Sequence, residues 1–235
     1  MKKFARRSTI PEIMDDLNCS GAVVYQTLRE LDVINRWLGG NRVTLQALHK
    51  TLPAPHNQPI AIADLGCGSG EMLKQIVKKF SRHTLQLTGF DANPHIILYA
   101  RNHLRNAPIS LIAEDIFSAS FRERKFDIVL ATLFFHHFTT EQLVQLLRQL
   151  VQQARIALIV NDLHRHPLAY YSIRLLTQLF SKSAMVKYDA PLSVLRGFTR
   201  SELLEILHAA GIKGYELRWK WAFRWQLVIK PHDLA

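Results

Sequence analysis

The sequence predicts an α/β protein with a doubly wound, mostly parallel sheet of seven strands and an antiparallel last strand. Between residues 59 and 162, apolar strand-like runs alternate with helix-like runs, which implies parallel strands joined by crossover helices. The tail "YELRWKWAFRWQLVIK" instead resembles two strands joined by a short turn. Because no crossover helix separates them, the last strand is expected to be antiparallel, and the tail is expected to supply an antiparallel edge strand.

The predicted elements follow one another in the order that this fold requires. Residues 1–52 are expected to form an N-terminal helical cap, and Pro53 and Pro55 mark the boundary with a larger domain, 53–235. The predicted strands are 59–65, 84–91, 109–115, 126–132 and 155–162, and the helices between them are 71–80, 94–105 and 140–153. A further helix begins near Thr199 and ends at Gly211. The connection 163–198 is long and is predicted to be an insertion that forms a lid.

Composition and charge limit the kinds of partner. The chain has 235 residues, 48% of them apolar, and a formal net charge of +11. This charge favours nucleic acid, an acidic carrier or an anionic membrane surface, although a generally basic surface explains it equally well. No apolar run approaches the ~18 residues of a membrane span. The two cysteines do not suggest a disulfide framework, and the start lacks a signal-peptide pattern, so a cytoplasmic protein is expected.

The stretch "IADLGCGSGEM" has three glycines in five positions between a strand-like and a helix-like run. A dinucleotide-binding loop requires a glycine at the sixth position counted from Gly66, but Glu71 stands there. Asp64 and Glu71 would place negative charge on both sides of a phosphate, which is unfavourable. S-adenosylmethionine fits better, because it carries an ammonium and a sulfonium and has no phosphate.

Further carboxylates follow the next two strands. Asp91 ends the second strand, where it can accept hydrogen bonds from ribose hydroxyls. Asp115 ends the third strand and could accept from the adenine amino group, while Ile116 could pack on the ring. The alternative is that each aspartate is a turn residue that closes a strand.

The motifs "IADLGCGSG", "GFDAN", "AEDIF" and "FDIVLAT" resemble those of the class I S-adenosylmethionine-dependent methyltransferases, in order and at the spacing of that family. The resemblance covers about residues 55–235 and implies a Rossmann-like methyltransferase sheet and an enzyme that uses S-adenosylmethionine. The cofactor-binding residues that it implies are Asp64, Gly66, Cys67, Gly68, Gly70, Asp91, Ala92, Asp115, Ile116 and Thr132.

The acceptor is expected beyond the fourth strand, which ends "ATLFFHHF". The stretch lacks the Asn/Asp-Pro-Pro-Tyr/Phe motif of amine methyltransferases and has no cysteine, which argues against nucleic acid despite the charge. His136 and His137 are the candidate catalytic residues, because a histidine there can act as a general base or orient an acceptor oxygen. The alternative is a packed histidine beside the cofactor.

The stretch "NDLHRHP" and the lid supply the other candidates. Asp162, His164 and His166 alternate, as metal ligands can, but metal-dependent catechol enzymes of the superfamily place their ligands differently, so no metal is predicted. His164, His166, Tyr170 and Tyr171 are predicted to contact the acceptor. The apolar lid and residues 10–40 would cover it, although simple core packing explains the lid equally well.

The predicted function is methyl transfer to oxygen on a small, partly apolar phenolic or carboxylic acceptor, with C-methylation as the nearest variant. The stretches "PEIMDD", "INRWLGG" and "DLHRHPLAYY" resemble bacterial small-molecule methyltransferases of the polyketide or phenolic type. The alternatives are an RNA-modifying methyltransferase and a non-catalytic protein that binds S-adenosylmethionine. The oligomeric state is left open.

Overall fold

A computed structural model describes residues 2–55 and 57–231. Residues 1, 56 and 232–235, which belong to the two predicted domains, lie outside the described residues. The sheet has seven strands in the spatial order β3-β2-β1-β4-β5-β7-β6. Their bounds are Ile60–Leu65 (β1), Leu85–Asp91 (β2), Ile109–Ala113 (β3), Phe126–Thr132 (β4), Ala154–Leu163 (β5), Tyr215–Lys220 (β6) and Arg224–Ile229 (β7).

Strands β1 to β5 pair in parallel, and β7 is antiparallel to both of its neighbours. The predicted doubly wound fold with an antiparallel last strand is therefore confirmed. The predicted antiparallel edge strand is β6, which pairs with β7, and β7 lies between β5 and β6. The burial pattern gives the reason: β7 is buried along almost its whole length, whereas β6 is largely exposed and suits the edge.

The described helices are α1 to α9, and shorter 3₁₀ turns cover Lys2–Phe4, Ile13–Asp15 and Phe135–His137. The helix bounds are Ala22–Trp37 (α1), Gly40–Thr51 (α2), Glu71–Lys79 (α3), Pro94–His103 (α4), Ala119–Arg122 (α5), Thr140–Gln153 (α6), Pro167–Phe180 (α7), Ala184–Arg196 (α8) and Arg200–Ala209 (α9). None of the described helices has both the length and the hydrophobicity needed to cross a membrane.

Apolar side chains of the helices cover both faces of the sheet. Leu146 of α6 and Leu207 of α9 belong to one core cluster, whereas Leu48 of α2 and Ile76 of α3 belong to another. Helix α2 therefore packs on the sheet itself, although it lies within the predicted N-terminal cap. The side chain of Asn161 in β5 holds α2 against the sheet, because its Nδ2 donates to the Gly40 carbonyl at 2.9 Å.

The part of the N-terminal region that covers the sheet edge is α1 together with the preceding segment 8–21, and it is joined to α7 and α8. The hydroxyls of Thr27 and Ser183 hydrogen-bond at 2.8 Å. The backbone amides of Ile13 and Met14 donate to the carboxylate of Asp189 in α8. The N-terminal segment and the 163–198 insertion thus form one continuous wall.

Candidate active site

A cavity of about 760 Å³ lies at the carboxyl ends of the parallel strands, between the sheet and this wall. Ligands of doubly wound sheets bind at this edge. The cavity brings together all of the predicted cofactor residues except Gly70, and both predicted catalytic histidines. These lining residues are Asp64, Gly66, Cys67, Gly68, Asp91, Ala92, Asp115, Ile116, Thr132, His136 and His137.

The glycine loop follows β1 and leads into α3. Gly66 and Gly70 have φ values of 62° and 77°, in the left-handed region that favours glycine. A Cβ at Gly66 would lie 2.2 Å from the Phe134 ring, and one at Gly70 would lie 2.4 Å from Leu104. Gly70 thus allows the close approach of Leu104 at the start of α3. It does not belong to the lining of the cavity.

Asp91, at the end of β2, ties this loop to the neighbouring strand. Its Oδ2 accepts from the Gly68 amide at 3.2 Å, and its Oδ1 accepts from the Asn93 amide at 3.0 Å. Burial raises the pKa of Asp91, although these two hydrogen bonds act in the opposite direction. Asp91 thus has a structural role in addition to the ligand contact that the sequence predicts.

Asp64, at the end of β1, is buried beside Asp91. Burial raises the pKa of Asp64 to about 7, and the charge of Asp91 adds to the shift. Two carboxylates on one wall favour a cationic ligand and disfavour a polyphosphate. As hydrogen-bond acceptors they fit the ammonium and the ribose hydroxyls of S-adenosylmethionine.

We expect the affinity for S-adenosylmethionine to fall as the pH falls below about 7. Only the ionised form of Asp64 attracts an ammonium, and its raised pKa means that protonation begins near neutrality. The dissociation constant should approach a tenfold increase per pH unit in this range. Calorimetric titrations of wild type and Asp64→Asn at several pH values check this. An equally steep dependence in the Asn variant would show that another group is responsible.

Asp115 and Thr132 also contact other parts of the protein. The exposed Asp115 accepts from the Phe117 amide at 2.9 Å, as a strand-closing turn residue does, and the neighbouring Ile116 is buried against the cavity. Thr132 shares a 2.8 Å hydrogen bond with the hydroxyl of Thr44 in α2. Their roles in cofactor binding remain predictions.

Helix α1 adds a polar group that the sequence reasoning missed. Asp32 accepts from the Ser69 hydroxyl at 2.8 Å and lines the cavity beside the glycine loop. Burial raises the pKa of Asp32 to about 6, and the nearby Glu71 adds to the shift. No local motif marks Asp32, because its partner lies 37 residues away in the chain.

Asp162, at the end of β5, holds the loop that carries both histidines. Its Oδ2 accepts from the backbone amides of Phe134, Phe135 and His136, and its Oδ1 lies 2.7 Å from His136 Nδ1. Burial alone would raise the pKa of Asp162, but His136 and the Leu163 amide, which donates to Oδ1, outweigh burial and lower it. This carboxylate therefore organises the turn after β4.

His137 is the more accessible of the two histidines, with 25% of its side chain exposed against 3% for His136. Its Nδ1 lies 2.6 Å from Asp15 Oδ1, and Arg196 Nη1 lies 2.5 Å from Asp15 Oδ2. Burial would raise the pKa of Asp15, but His137 and Arg196 hold it well below its usual range. An ionised Asp15 accepts the Nδ1 proton of His137 and leaves Nε2 as the basic nitrogen.

Glu12 lies on the other side of His136. Its Oε1 is 3.5 Å from His136 Nε2 and has no hydrogen-bond partner among the described residues. Burial raises the pKa of Glu12 to about 7. Ligand atoms of Glu12, His136 and His137 lie within 4.8 Å of one another, a grouping that can hold a metal ion. The Arg196 guanidinium already brings a positive charge to 3.8 Å from the same oxygen, so we assign no metal there.

The structure does not bring the predicted acceptor residues to the cavity lining. Tyr170 is buried against Phe4, and Tyr171 is exposed. His166 accepts from the Leu168 amide at the start of α7, and His164 accepts from Trp219 Nε1. Asp162 turns towards His136, so the alternating pattern at the end of β5 does not form a single ligand face. The acceptor role of these residues stays a prediction.

Other side chains of α7 and α8 line the cavity instead. In α7 they recur at positions i, i+3, i+4 and i+7, so one face of the helix is turned inwards. The residues are Ala169, Ser172, Ile173 and Leu176 of α7, with Val186, Asp189, Ala190, Ser193 and Val194 of α8. The inner wall opposite the strand ends is therefore mainly apolar.

Comparisons with known proteins agree with this geometry. Residues 62–156 match the family model described as "Methyltransferase domain". A malonyl-[acyl-carrier protein] O-methyltransferase of Priestia megaterium is 32% identical over 84 residues. This match covers 36% of the present chain and only 30% of that protein.

Solved structures support the fold. The plantazolicin methyltransferase BpumL, in complex with a pentazolic desmethylPZN analog and SAH, is 20% identical with a TM-score of 0.62, covering 83% of this chain and 84% of that chain. Human N-acetylserotonin methyltransferase in complex with SAM is 20% identical with a TM-score of 0.61. The match covers 88% of this chain and 55% of that chain. Residues 62–156 of the chain are therefore similar to a methyltransferase domain, and the chain has the fold of these solved methyltransferase structures.

Proposed function

We propose that this chain is an S-adenosylmethionine-dependent methyltransferase that methylates an oxygen of a small, partly apolar phenolic or carboxylic acceptor. The observation that carries the proposal is that one cavity joins the Asp64 and Asp91 carboxylates to the His137–Asp15 pair and an apolar inner wall. The carboxylates suit a cationic cofactor, the apolar wall suits a partly apolar acceptor, and the His137–Asp15 pair supplies a base for an acceptor that keeps its proton.

The cofactor, when bound, supplies the electrophilic methyl group of its sulfonium. In this proposal Asp64 attracts the ammonium, and Asp91 accepts from the ribose hydroxyls. Ile116 packs against the adenine. The loop amides before α3 receive the carboxylate, since the start of a helix favours negative charge. Alignment of the acceptor with the methyl group then provides much of the acceleration.

His137 is the group that we propose to take the acceptor proton. Asp15 binds Nδ1, so Nε2 is the nitrogen that is left to accept a proton from a hydroxyl. His136 is a positioning residue, because it is almost fully buried between Asp162 and Glu12. The arrangement resembles other catalytic sites in which a carboxylate fixes the orientation of an imidazole.

The inner wall supports an apolar acceptor. Helices α7 and α8 contribute aliphatic side chains to it, and Phe134 and Phe138 line the cavity from the β4 side. The curated relative is named as an O-methyltransferase, which agrees with an oxygen acceptor. Methylation of carbon remains the nearest variant, because an acidic C–H would use the same base.

Incubation of the protein with S-adenosylmethionine labelled in the methyl group tests the proposal. The acceptors are phenols and carboxylic acids with apolar substituents, and total RNA is a separate arm. We expect label in the phenols or acids and none in RNA. Label in RNA alone would replace the proposal with RNA modification. Cofactor binding without transfer in any arm would identify a non-catalytic binding protein.

A further inference from the structure

Helix α7 exposes apolar side chains along its whole outer face. Leu168, Tyr171, Leu175 and Leu179 follow one another at intervals of three or four residues, and two more apolar residues lie beside them. We call this set the α7 stripe; it comprises Leu168, Tyr171, Leu175, Leu176, Leu179 and Phe180, which are 40–77% exposed. Contiguous exposed apolar surface of this kind marks an interaction site.

Exposed positive side chains flank the α7 stripe. Arg174 is exposed on the helix itself, and the exposed Lys182 follows its last turn, while the helix sequence "PLAYYSIRLLTQLF" contains no acidic residue. The basic N-terminal stretch lies against the same helix: Phe4 packs on both Tyr170 and Tyr171, with ring centroids 5.6 and 6.2 Å apart. Lys3 Nζ donates to the Tyr170 hydroxyl at 2.5 Å.

The α7 stripe is continuous with the cavity wall. Leu176 belongs to the stripe and also lines the cavity, and its neighbours Ser172 and Ile173 line it too. One side of the helix therefore forms part of the chamber while the other side lies in solvent. A molecule held in a lipid layer at the stripe would be separated from the cavity by the width of helix α7.

We propose that the α7 stripe docks the protein on an anionic lipid surface. A helix with an apolar face of leucines and aromatic residues and flanking lysines and arginines is typical of proteins that lie in the membrane interface. The formal net charge of +11 favours the same partner. Docking requires only the exposed stripe, so it stands independently of the proposed methyl transfer.

A second copy of the chain is the competing occupant, and the charges argue against it. In a symmetric dimer the same patch lies on both subunits. Arg174 and Lys182 of one copy would then be brought towards the same positive groups of the other. An anionic lipid surface instead compensates each of these charges.

Sedimentation of the full chain with phosphatidylcholine vesicles, with and without phosphatidylglycerol, tests the proposal. We expect the wild type to sediment with the anionic vesicles and to be released by high salt. The double variant Leu175→Asp/Leu179→Asp should bind at least about 10-fold more weakly, because apolar contact is lost and carboxylates repel the surface. Neither residue lines the cavity, so the affinity for S-adenosylhomocysteine should not change.

The matched control is Leu98→Asp, which changes an exposed leucine in α4, away from the stripe. It should bind vesicles like the wild type. Equal binding of wild type and double variant would overturn the proposal, as would the absence of wild-type binding to anionic vesicles. A concentration-dependent dimer that the double variant abolishes, without vesicle binding, would assign the stripe to a second copy.

Discussion

Replacing His137 by Gln should lower the turnover of a phenolic acceptor by about 10²- to 10⁴-fold, the usual range for general acid–base catalysis. Glutamine keeps much of the size of the imidazole but cannot accept the proton. The affinity for S-adenosylhomocysteine should change little, because Asp64 and Asp91 remain. Single-turnover rates and calorimetric titrations of the same preparation separate the two effects.

Two further variants test whether the effect is specific to His137 and its partner Asp15. Asp15→Asn should also lower turnover, by a smaller factor, because the amide no longer selects the Nδ1–H tautomer as strongly. His208→Gln, at an exposed position of α9, should behave as wild type. If His137→Gln keeps nearly wild-type turnover, alignment alone drives the reaction and the base role is lost, although the methyltransferase assignment stands.

Asp91→Ala should weaken cofactor binding by about 10- to 100-fold, the loss expected when a charged hydrogen-bond partner worth ~1.5–3 kcal/mol is removed. The same change releases the Gly68 and Asn93 amides, so the glycine loop should loosen as well. Asp91→Asn retains one acceptor oxygen and should have a smaller effect. Calorimetry checks both variants, with Glu205→Gln on the exposed side of α9 as the control.

The alternation of strands and helices could be predicted because each element carries its own periodicity. The bounds of β1 and β4 agree with the sequence to within a residue. The position of β7 could not be predicted in this way, because the choice between edge and interior depends on which strand of the final hairpin buries more surface against β5.

The residues of the cofactor side can be predicted from the sequence, because the glycine loop and the strand-end carboxylates are local patterns that one fold places together. The residues of the acceptor side cannot be predicted in this way. Asp15 and His137 are 122 residues apart in the chain, and only the tertiary fold pairs them. The sequence favours Tyr170 and Tyr171 as aromatic residues of the lid, but the rotation of α7 turns Ser172 and Ile173 towards the cavity instead.

Calorimetric titration of the wild-type protein with S-adenosylhomocysteine tests the central claim, that the cavity at the strand ends binds the methyl-donor cofactor. We expect one site per chain that binds S-adenosylhomocysteine more tightly than NADH, with the affinity for S-adenosylhomocysteine reduced about 10- to 100-fold in Asp91→Ala. Tighter binding of NADH, or equal affinity of wild type and Asp91→Ala for S-adenosylhomocysteine, would contradict it.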